Sequence, residues 1–361
     1  MRWGIGLKLI LFTFLYAVFG YLGSIYIFNE KVSIDINSKN TYVSIFLFIF
    51  GILLYLKLLK KLRRAFKRGV LLKEGGFRVV RHPIYSLWGF IIIPSITLFV
   101  DLKFFYSIII FYFFILIIFI KEEERETERE FGEEFKLYRN NVPMLFPTID
   151  SISGILFWPE FTKKYDEKLY IVREKYANFF IYGKEENYIA IDSGIGGKRG
   201  LIEIEKLKIP KEKVIAIFFT HSDFDHINGR KYFPNAKIYF CKGEDIIIDG
   251  LKPRFFNLIY AKKNLYDYIK IESEREITIE NIRILPLRTP GHTPGHCSYI
   301  VDGEYLFTGD LIRIKEGKIY PFYSFLSYDF KEHLKSYSKI LNLIKKHKIF
   351  TAHHGIFEIT G

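Results

Sequence analysis

Four apolar runs, residues 5–28, 42–58, 84–100 and 104–120, constrain this chain more than any other feature. A bilayer crossing takes roughly 17–25 residues of helix, and each run reaches or approaches that length. The last two are separated only by Asp101-Leu-Lys103, which predicts a tight helical hairpin with Pro94 kinking its first arm. The first run is too long for a secretory leader, lacks a small-residue cleavage pattern and is followed by further spans, so it reads as a retained helix. With 37 Phe, 25 Tyr and 49% hydrophobic residues, the chain is too apolar for one soluble fold, and the excess sits in its first 120 residues. The expectation is a multi-domain chain, an N-terminal α-helical transmembrane bundle of four spans followed by a soluble part.

The net charge of +13 is also local, since residues 57–82 hold ten Lys or Arg against one acid, Glu74. Such a run directly after an apolar span follows the positive-inside rule, which accounts for it better than nucleic-acid binding does. No nucleic-acid partner is expected. Arg2 and Lys8 precede the first span, the loop from Asn29 to Thr41 carries only Lys31 and Lys39, and the segment after the fourth begins Lys121-Glu-Glu-Glu-Arg125. This distribution predicts an integral protein of the cell membrane with both termini and the C-terminal part in the cytoplasm, and the lipid bilayer as a partner. Only Cys241 and Cys297 occur, so there is no disulfide framework and a reducing compartment is expected.

Pro143, Pro147 and Pro159 mark a boundary with little periodicity, giving a membrane part at 1–147, a linker at 148–164 and a soluble part at 165–361. In the last, short β-rich runs such as Leu169-Tyr-Ile-Val172 and Phe179-Phe-Ile-Tyr182 are separated by turns, Asp192-Ser-Gly-Ile-Gly-Gly197 among them. Helical spacing appears at 330–346, where Phe330, Leu334, Tyr337, Ile340, Leu341 and Ile344 fall on one face. Strands alternating with helices predict a layered α/β domain.

The chemistry is concentrated in that half. Thr220-His-Ser-Asp-Phe-Asp-His226 holds four candidate metal ligands, His221, Asp223, Asp225 and His226, directly after the apolar run Val214-Ile-Ala-Ile-Phe-Phe219. Thr289-Pro-Gly-His-Thr-Pro-Gly-His296, Gly309-Asp310 and His353-His354-Gly355 follow. No packing requirement produces this set, whereas two metal ions do, because each needs several imidazole or carboxylate ligands converging from different strand ends. Cys297, beside His296 in an expected strand, reads as a small core residue. The glycine-rich turn 194–197 reads as a loop after a strand more readily than as a phosphate cradle.

Taken together, these motifs over residues 165–361 resemble the metallo-β-lactamase superfamily. The resemblance implies an αββα sandwich with two divalent metal ions at one edge of its packed sheets. It assigns His221, Asp223 and His292 to the first ion, Asp225, His226 and His354 to the second, and Asp310 to a bridge between them. It implies a metal-bound hydroxide as nucleophile, with Asp225 also orienting that water. Asp192 matches the family's early Asp-x-Gly and would orient the ligand loop from behind. His296 falls where related enzymes place a residue on the substrate side, and His353 reads as a partly buried strand histidine. Asp223 stands where the family has His. A more anionic site follows, so iron or manganese stands beside zinc as the metal. The function implied is hydrolysis of a small-molecule or lipid-like ester, thioester, lactone or phosphoester.

The membrane half carries a second resemblance. Glu74-Gly-Gly-Phe-Arg-Val-Val-Arg-His-Pro-Ile-Tyr85 before the hairpin, with Glu122-Glu-Glu-Arg-Glu-Thr-Glu-Arg-Glu-Phe-Gly-Glu-Glu-Phe-Lys-Leu-Tyr138 after it, resembles the isoprenylcysteine carboxyl methyltransferase and phospholipid methyltransferase group over residues 40–147. The resemblance implies S-adenosylmethionine as cofactor and a prenylated or other lipid-like acceptor. Arg81, His82 and Tyr85 would stand at the cytosolic mouth of the hairpin, and Glu123 or Glu124 would face the cofactor.

Overall fold

A computed structural model describes residues 5–31, 38–152, 156–254 and 267–358. The chain forms two compact units, Met1–Ile155 and Leu156–Gly361. The division falls inside the stretch expected to be a linker, of which residues 153–155 lie outside the described residues.

Four helices of the first unit are long and apolar enough to cross a membrane: α1 (Gly6–Tyr26), α2 (Lys39–Arg68), α3 (Pro83–Val100) and α4 (Phe104–Asn141). Their outward positions are apolar, with Ile10, Phe14, Phe46 and Leu53 all exposed. Where the helices meet, small residues let the backbones approach. A Cβ at Gly51 would come within 2.9 Å of Ile92, and one at Gly89 within 2.4 Å of the Phe113 ring. The irregularity expected at Pro94 lies just before it, as a π-turn over Trp88–Ile92. Proline offers no N–H to the turn before it, and the wider turn absorbs that defect. Gly132, at φ 52°, breaks α4 near its C-terminal end.

The second unit stacks two sheets between helices. One sheet, among the described residues, has the order β1 (Lys163–Lys164), β2 (Leu169–Glu174), β3 (Ala177–Lys184), β4 (Asn187–Ile191), β5 (Val214–Phe219), β6 (Lys237–Cys241), β7 (Ile269–Ile271). It is antiparallel as far as β4 and parallel from there on. The other has the order β15 (Ile356–Phe357), β14 (Lys348–Phe350), β11 (Tyr305–Phe307), β10 (Cys297–Val301), β9 (Ile282–Arg288), β8 (Ile277–Ile279), and β12 (Ile312–Lys315) pairs with β13 (Lys318–Pro321) as a separate antiparallel ribbon.

Side-chain alternation builds the layers. Along β3, Phe180 and Tyr182 point into the core between the sheets, with Ala216 and Phe218 of β5 and Tyr299, Phe307 and Phe350 from the other sheet. Phe179 and Ile181, with Ile217 and Phe219, face the opposite way, onto α5 (Lys198–Lys206) through Ile204. Leu287, Ile300, Leu306 and Ile349 pack on α6 (Phe330–Leu341) through Ile340. Both faces of the central strands are covered, which is why β5 is a continuous apolar run. Cys241 and Cys297 lie in the core between the sheets.

The helix expected over 330–346 ends at Leu341, and Ile344 sits in a separate short turn. Its buried face carries His333, Ser336 and Ile340, while Leu334 and Leu341 are exposed. Two polar side chains occupy the inner face because each finds an acceptor there. His333 Nε2 donates to the Leu311 carbonyl at 2.8 Å, and the Ser336 hydroxyl to the Pro290 carbonyl at 2.7 Å.

Candidate metal centre

The predicted ligands converge where β4, β5, β9, β11 and β14 end. Asp192 follows β4 with φ 59° and takes the Thr220 backbone N–H at 2.8 Å and its hydroxyl at 2.9 Å. That fixes the start of the loop after β5. Gly309, at φ 49°, lets the chain turn tightly after β11, since a Cβ there would lie 2.7 Å from Thr220. His296 accepts the Asp310 backbone N–H on Nε2 at 3.2 Å, and its Nδ1 lies 3.1 Å from the Thr289 carbonyl. Both ring nitrogens are engaged, so His296 holds Asp310 in place and is not on a substrate side as expected.

Three overlapping groups of side-chain donors result: His221, Asp223 and His292; His221, His226 and Asp310; Asp225, His226 and His353. The last group corrects the expectation for the final pair of histidines. His353, read from sequence as a strand histidine, brings Nε2 to 3.4 Å from Asp225 Oδ2 and 3.2 Å from Asp310 Oδ1. His354 turns away, its ring centroid 4.4 Å from that of Trp158 and its Nε2 3.4 Å from the Tyr323 hydroxyl. The reason is local. β14 ends at Phe350, so residues 351–354 follow a bend, and strand alternation does not decide which imidazole faces inward.

Around His226 and His353 the geometry fits a metal ion. Ligand atoms there are spaced 3.2 Å (His353–Asp310), 3.4 Å (His353–Asp225), 3.5 Å (His226–Asp310) and 3.9 Å (His226–Asp225). A tetrahedron with 2.0–2.1 Å bonds has edges of about 3.3 Å. His226 Nδ1 lies 2.9 Å from Asp192 Oδ2, and His353 Nδ1 lies 2.7 Å from the Tyr176 carbonyl. Each Nδ1–H is thereby committed, which leaves the Nε2 lone pairs facing the centre. His221 Nε2, on the Asp223 side at 3.3 Å from its Oδ2, and, at this centre, His226 Nε2 and Asp310 Oδ1 are buried without a hydrogen-bond partner. Orphaned acceptors pointing at one spot call for a cation.

The surrounding carboxylates favour positive charge at this spot, which without a metal ion a proton on the imidazoles supplies. Burial lowers the pKa of His226, but Asp192, Asp310 and Asp225 outweigh it and push it up to about 10. His353 is likewise raised, Asp310 and Asp225 outweighing its burial. Asp310 is held well below the usual carboxylate range against its burial, chiefly by His353, His226 and His292.

Around the other group the surroundings differ. Arg254, which the sequence reading did not single out, grips Asp223 with both arms of its fork, Nε to Oδ1 at 2.7 Å and Nη2 to Oδ2 at 2.6 Å. The same Nη2 is 2.8 Å from His292 Nε2. Burial raises the Asp223 pKa, but Arg254 above all, with His221 and His292, holds it well below the ordinary value. Burial and Arg254 together bring His292 down to about 3.

Two buried carboxylates also escaped the sequence reading. Glu244 joins two ligand loops, accepting the Ser222 N–H and hydroxyl on Oε1 at 2.8 and 2.6 Å, and the Thr293 hydroxyl and Gly295 N–H on Oε2 at 2.6 and 3.1 Å. Glu174 accepts the N–H groups of Gly196 and Gly197 at 3.1 and 2.6 Å. Two amides of the glycine-rich turn are thus committed internally. Neither residue lies in a motif; each is recognisable only by burial.

In the helical unit, Arg81, His82, Tyr85, Glu123 and Glu124 come together. Arg81 Nε donates to Glu124 at 2.7 Å, His82 Nε2 is 3.1 Å from the same oxygen, and the Tyr85 hydroxyl donates to Glu123 at 2.7 Å.

The chain belongs to the metallo-beta-lactamase superfamily, whose model matches residues 172–353 and leaves the helical unit outside. It is 30% identical over 184 residues to a probable metallo-hydrolase, YybB, of Bacillus subtilis, a match covering 48% of this chain and 79% of that protein. It is 27% identical over 168 residues to a hydroxyacylglutathione hydrolase of Buchnera aphidicola, covering 44% and 58%. Over 101 residues it is 37% identical to a probable polyketide biosynthesis zinc-dependent hydrolase, PksB, of Bacillus subtilis, covering 27% and 38%. The chain spans about a third to three fifths of the length of the first curated relatives it matches. These superfamily relatives are hydrolases, and one is zinc-dependent by name.

Proposed function

We propose that this protein is a membrane-anchored, metal-dependent hydrolase of ester, thioester, lactone or phosphoester bonds. The observation that carries the reading is the buried group Asp225, His226, His353 and Asp310, whose imidazole nitrogens lie 3.2–3.9 Å from the two carboxylates, the spacing of a metal's coordination sphere. A divalent ion held there supplies Lewis acidity and lowers the pKa of bound water. The chain's own residues prepare the place. Asp192 and the Tyr176 carbonyl fix the tautomers of His226 and His353, and His296 fixes Asp310. The Asp225 side chain is 12% exposed against 0% for His226 and 6% for Asp310, so the pocket opens on the Asp225 side. There its carboxylate orients the attacking water and takes up its proton. Because similar proteins are named hydroxyacylglutathione hydrolases, thioesters are the substrate class to test first. Asp225→Ala is expected to abolish hydrolysis across a panel of thioesters, lactones and phosphodiesters. Retained turnover in that variant defeats the scheme.

The anchoring rests on the four apolar helices and on the basic run that ends α2. A reporter fused at Ser38 is expected to read non-cytoplasmic, and a cytoplasmic signal there reverses the orientation.

A second reading, an S-adenosylmethionine-dependent methyltransferase of a lipid-like acceptor, is favoured by the convergence of Arg81, His82, Tyr85, Glu123 and Glu124. Opposed cationic and anionic side chains suit a zwitterionic cofactor. Radiolabelled S-adenosylmethionine is expected to bind intact membranes and to be lost in His82→Ala. No binding by the wild type removes this reading.

A further inference from the structure

We propose that Arg254 is a built-in replacement for the first of the two metal ions of this pocket, and that the chain binds one ion, at Asp225, His226, His353 and Asp310. The inference rests on the hydrolase reading of the same pocket and specifies its metal requirement.

Four observations support it. The imidazole nitrogen His292 Nε2 has a single in-plane lone pair, and the Arg254 Nη2 N–H lies 2.8 Å from it. A metal ion and that N–H compete for the same electrons. Both oxygens of Asp223 are held in a bidentate fork at 2.7 and 2.6 Å, the strongest form of carboxylate recognition available to a side chain. Arg254 is no mobile surface side chain. It is 7% exposed, and its Nη1 donates to the Leu326 carbonyl at 3.1 Å. Finally, a carboxylate is what position 223 requires for this partner. A neutral imidazole there could not accept two parallel N–H bonds, so Asp223 and Arg254 make sense as a pair and neither does alone.

Charge points the same way. The pocket holds three carboxylates, Asp223, Asp225 and Asp310. One guanidinium and one divalent ion neutralise them. A second divalent ion would place two further positive charges against a fixed buried cation, with only Asp192, already bound to Thr220 and His226, left to offset them. The fixed guanidinium therefore maintains the ligand shell on its own side. It orders Asp223 and His292, and through them the wall facing Asp310, whose Oδ2 is 3.3 Å from His292 Nε2.

The test is metal stoichiometry, which does not require a known substrate. The full-length protein in detergent is dialysed to equilibrium against zinc, and separately against manganese, and bound metal per chain is measured by mass spectrometry. One ion per chain is expected for the wild type, with His353→Ala weakening it by more than about 100-fold. His292→Ala is expected to keep its single ion, since His292 serves the arginine and not the metal. Arg254→Ala is expected to rise to two ions per chain, and Arg254→Lys, which keeps a cation, to remain at one. Two ions in the wild type overturn the inference while leaving the hydrolase reading intact, and so does a folded Arg254→Ala that stays at one. No ion in the wild type overturns both. If Arg254→Ala does not fold, the His292→Ala arm still decides, because loss of the ion there contradicts the assignment.

Discussion

His353→Ala is expected to release the bound ion and remove hydrolysis, while His354→Ala keeps both. The two residues are neighbours in the chain and equally buried, so hydropathy and position predict the same outcome for each. Geometry separates them. His353 Nε2 is within 3.4 Å of two carboxylates, and its Nδ1 is anchored to a backbone carbonyl. His354 is packed against Trp158 and Tyr323 and takes part in none of the donor groups. Loss of a residue that merely orients a ligand costs about 10–100-fold in metal affinity, so loss of a ligand itself is expected to exceed about 100-fold. Competition with a chromophoric zinc chelator measures this directly. Equal losses in the two variants, or a larger one in His354→Ala, contradict the arrangement.

Glu244→Ala is expected to be among the most destabilising single changes in the soluble unit. Its carboxylate is fully buried and accepts from four donors on two separate loops. Removing it strands those donors, at about 1–3 kcal/mol for each left unsatisfied, partly offset where water enters the space. A net loss of roughly 3–5 kcal/mol is expected, which lowers the midpoint of thermal unfolding by on the order of 10 °C for a unit of this size. Glu205→Ala, on the exposed face of α5, serves as the matched control and should move the midpoint little. Circular dichroism of the full chain checks both. A Glu244→Ala midpoint within about 2 °C of the wild type sinks the clamp argument.

Signals that depend on chain-local periodicity were legible. The four apolar helices appear where the runs lie; α1 stops short of its run at Tyr26, while polar turns carry α2 on to Arg68 and α4 to Asn141. The β-rich runs 169–172, 179–182 and 214–219 are strands, and the ligand spacing places the key side chains after strand ends. The last helix was harder to read. Its exposed Leu334 and Leu341 suggested the wrong face, because the inner face holds His333 and Ser336, whose acceptors come from Leu311 and Pro290, distant in sequence.

What the sequence determined by itself was therefore the kind of chain this is: an apolar helical unit joined to an α/β unit carrying a His- and Asp-rich set of ligands in superfamily order. Those features are written in spacing and composition, which act between near neighbours. Tertiary structure alone decided which imidazole of the 353–354 pair faces inward, that His296 braces Asp310, that Glu244 joins the ligand loops and that Arg254 grips Asp223. Each depends on atoms 14 to 51 residues apart, or more, meeting at hydrogen-bond distance, as Asp310 with His296, Glu244 with Gly295, Arg254 with Asp223, and His353 with Tyr176 across 177 residues. Burial gives such contacts their strength, since a buried donor or charge has no water to turn to, and burial is a property of the folded chain.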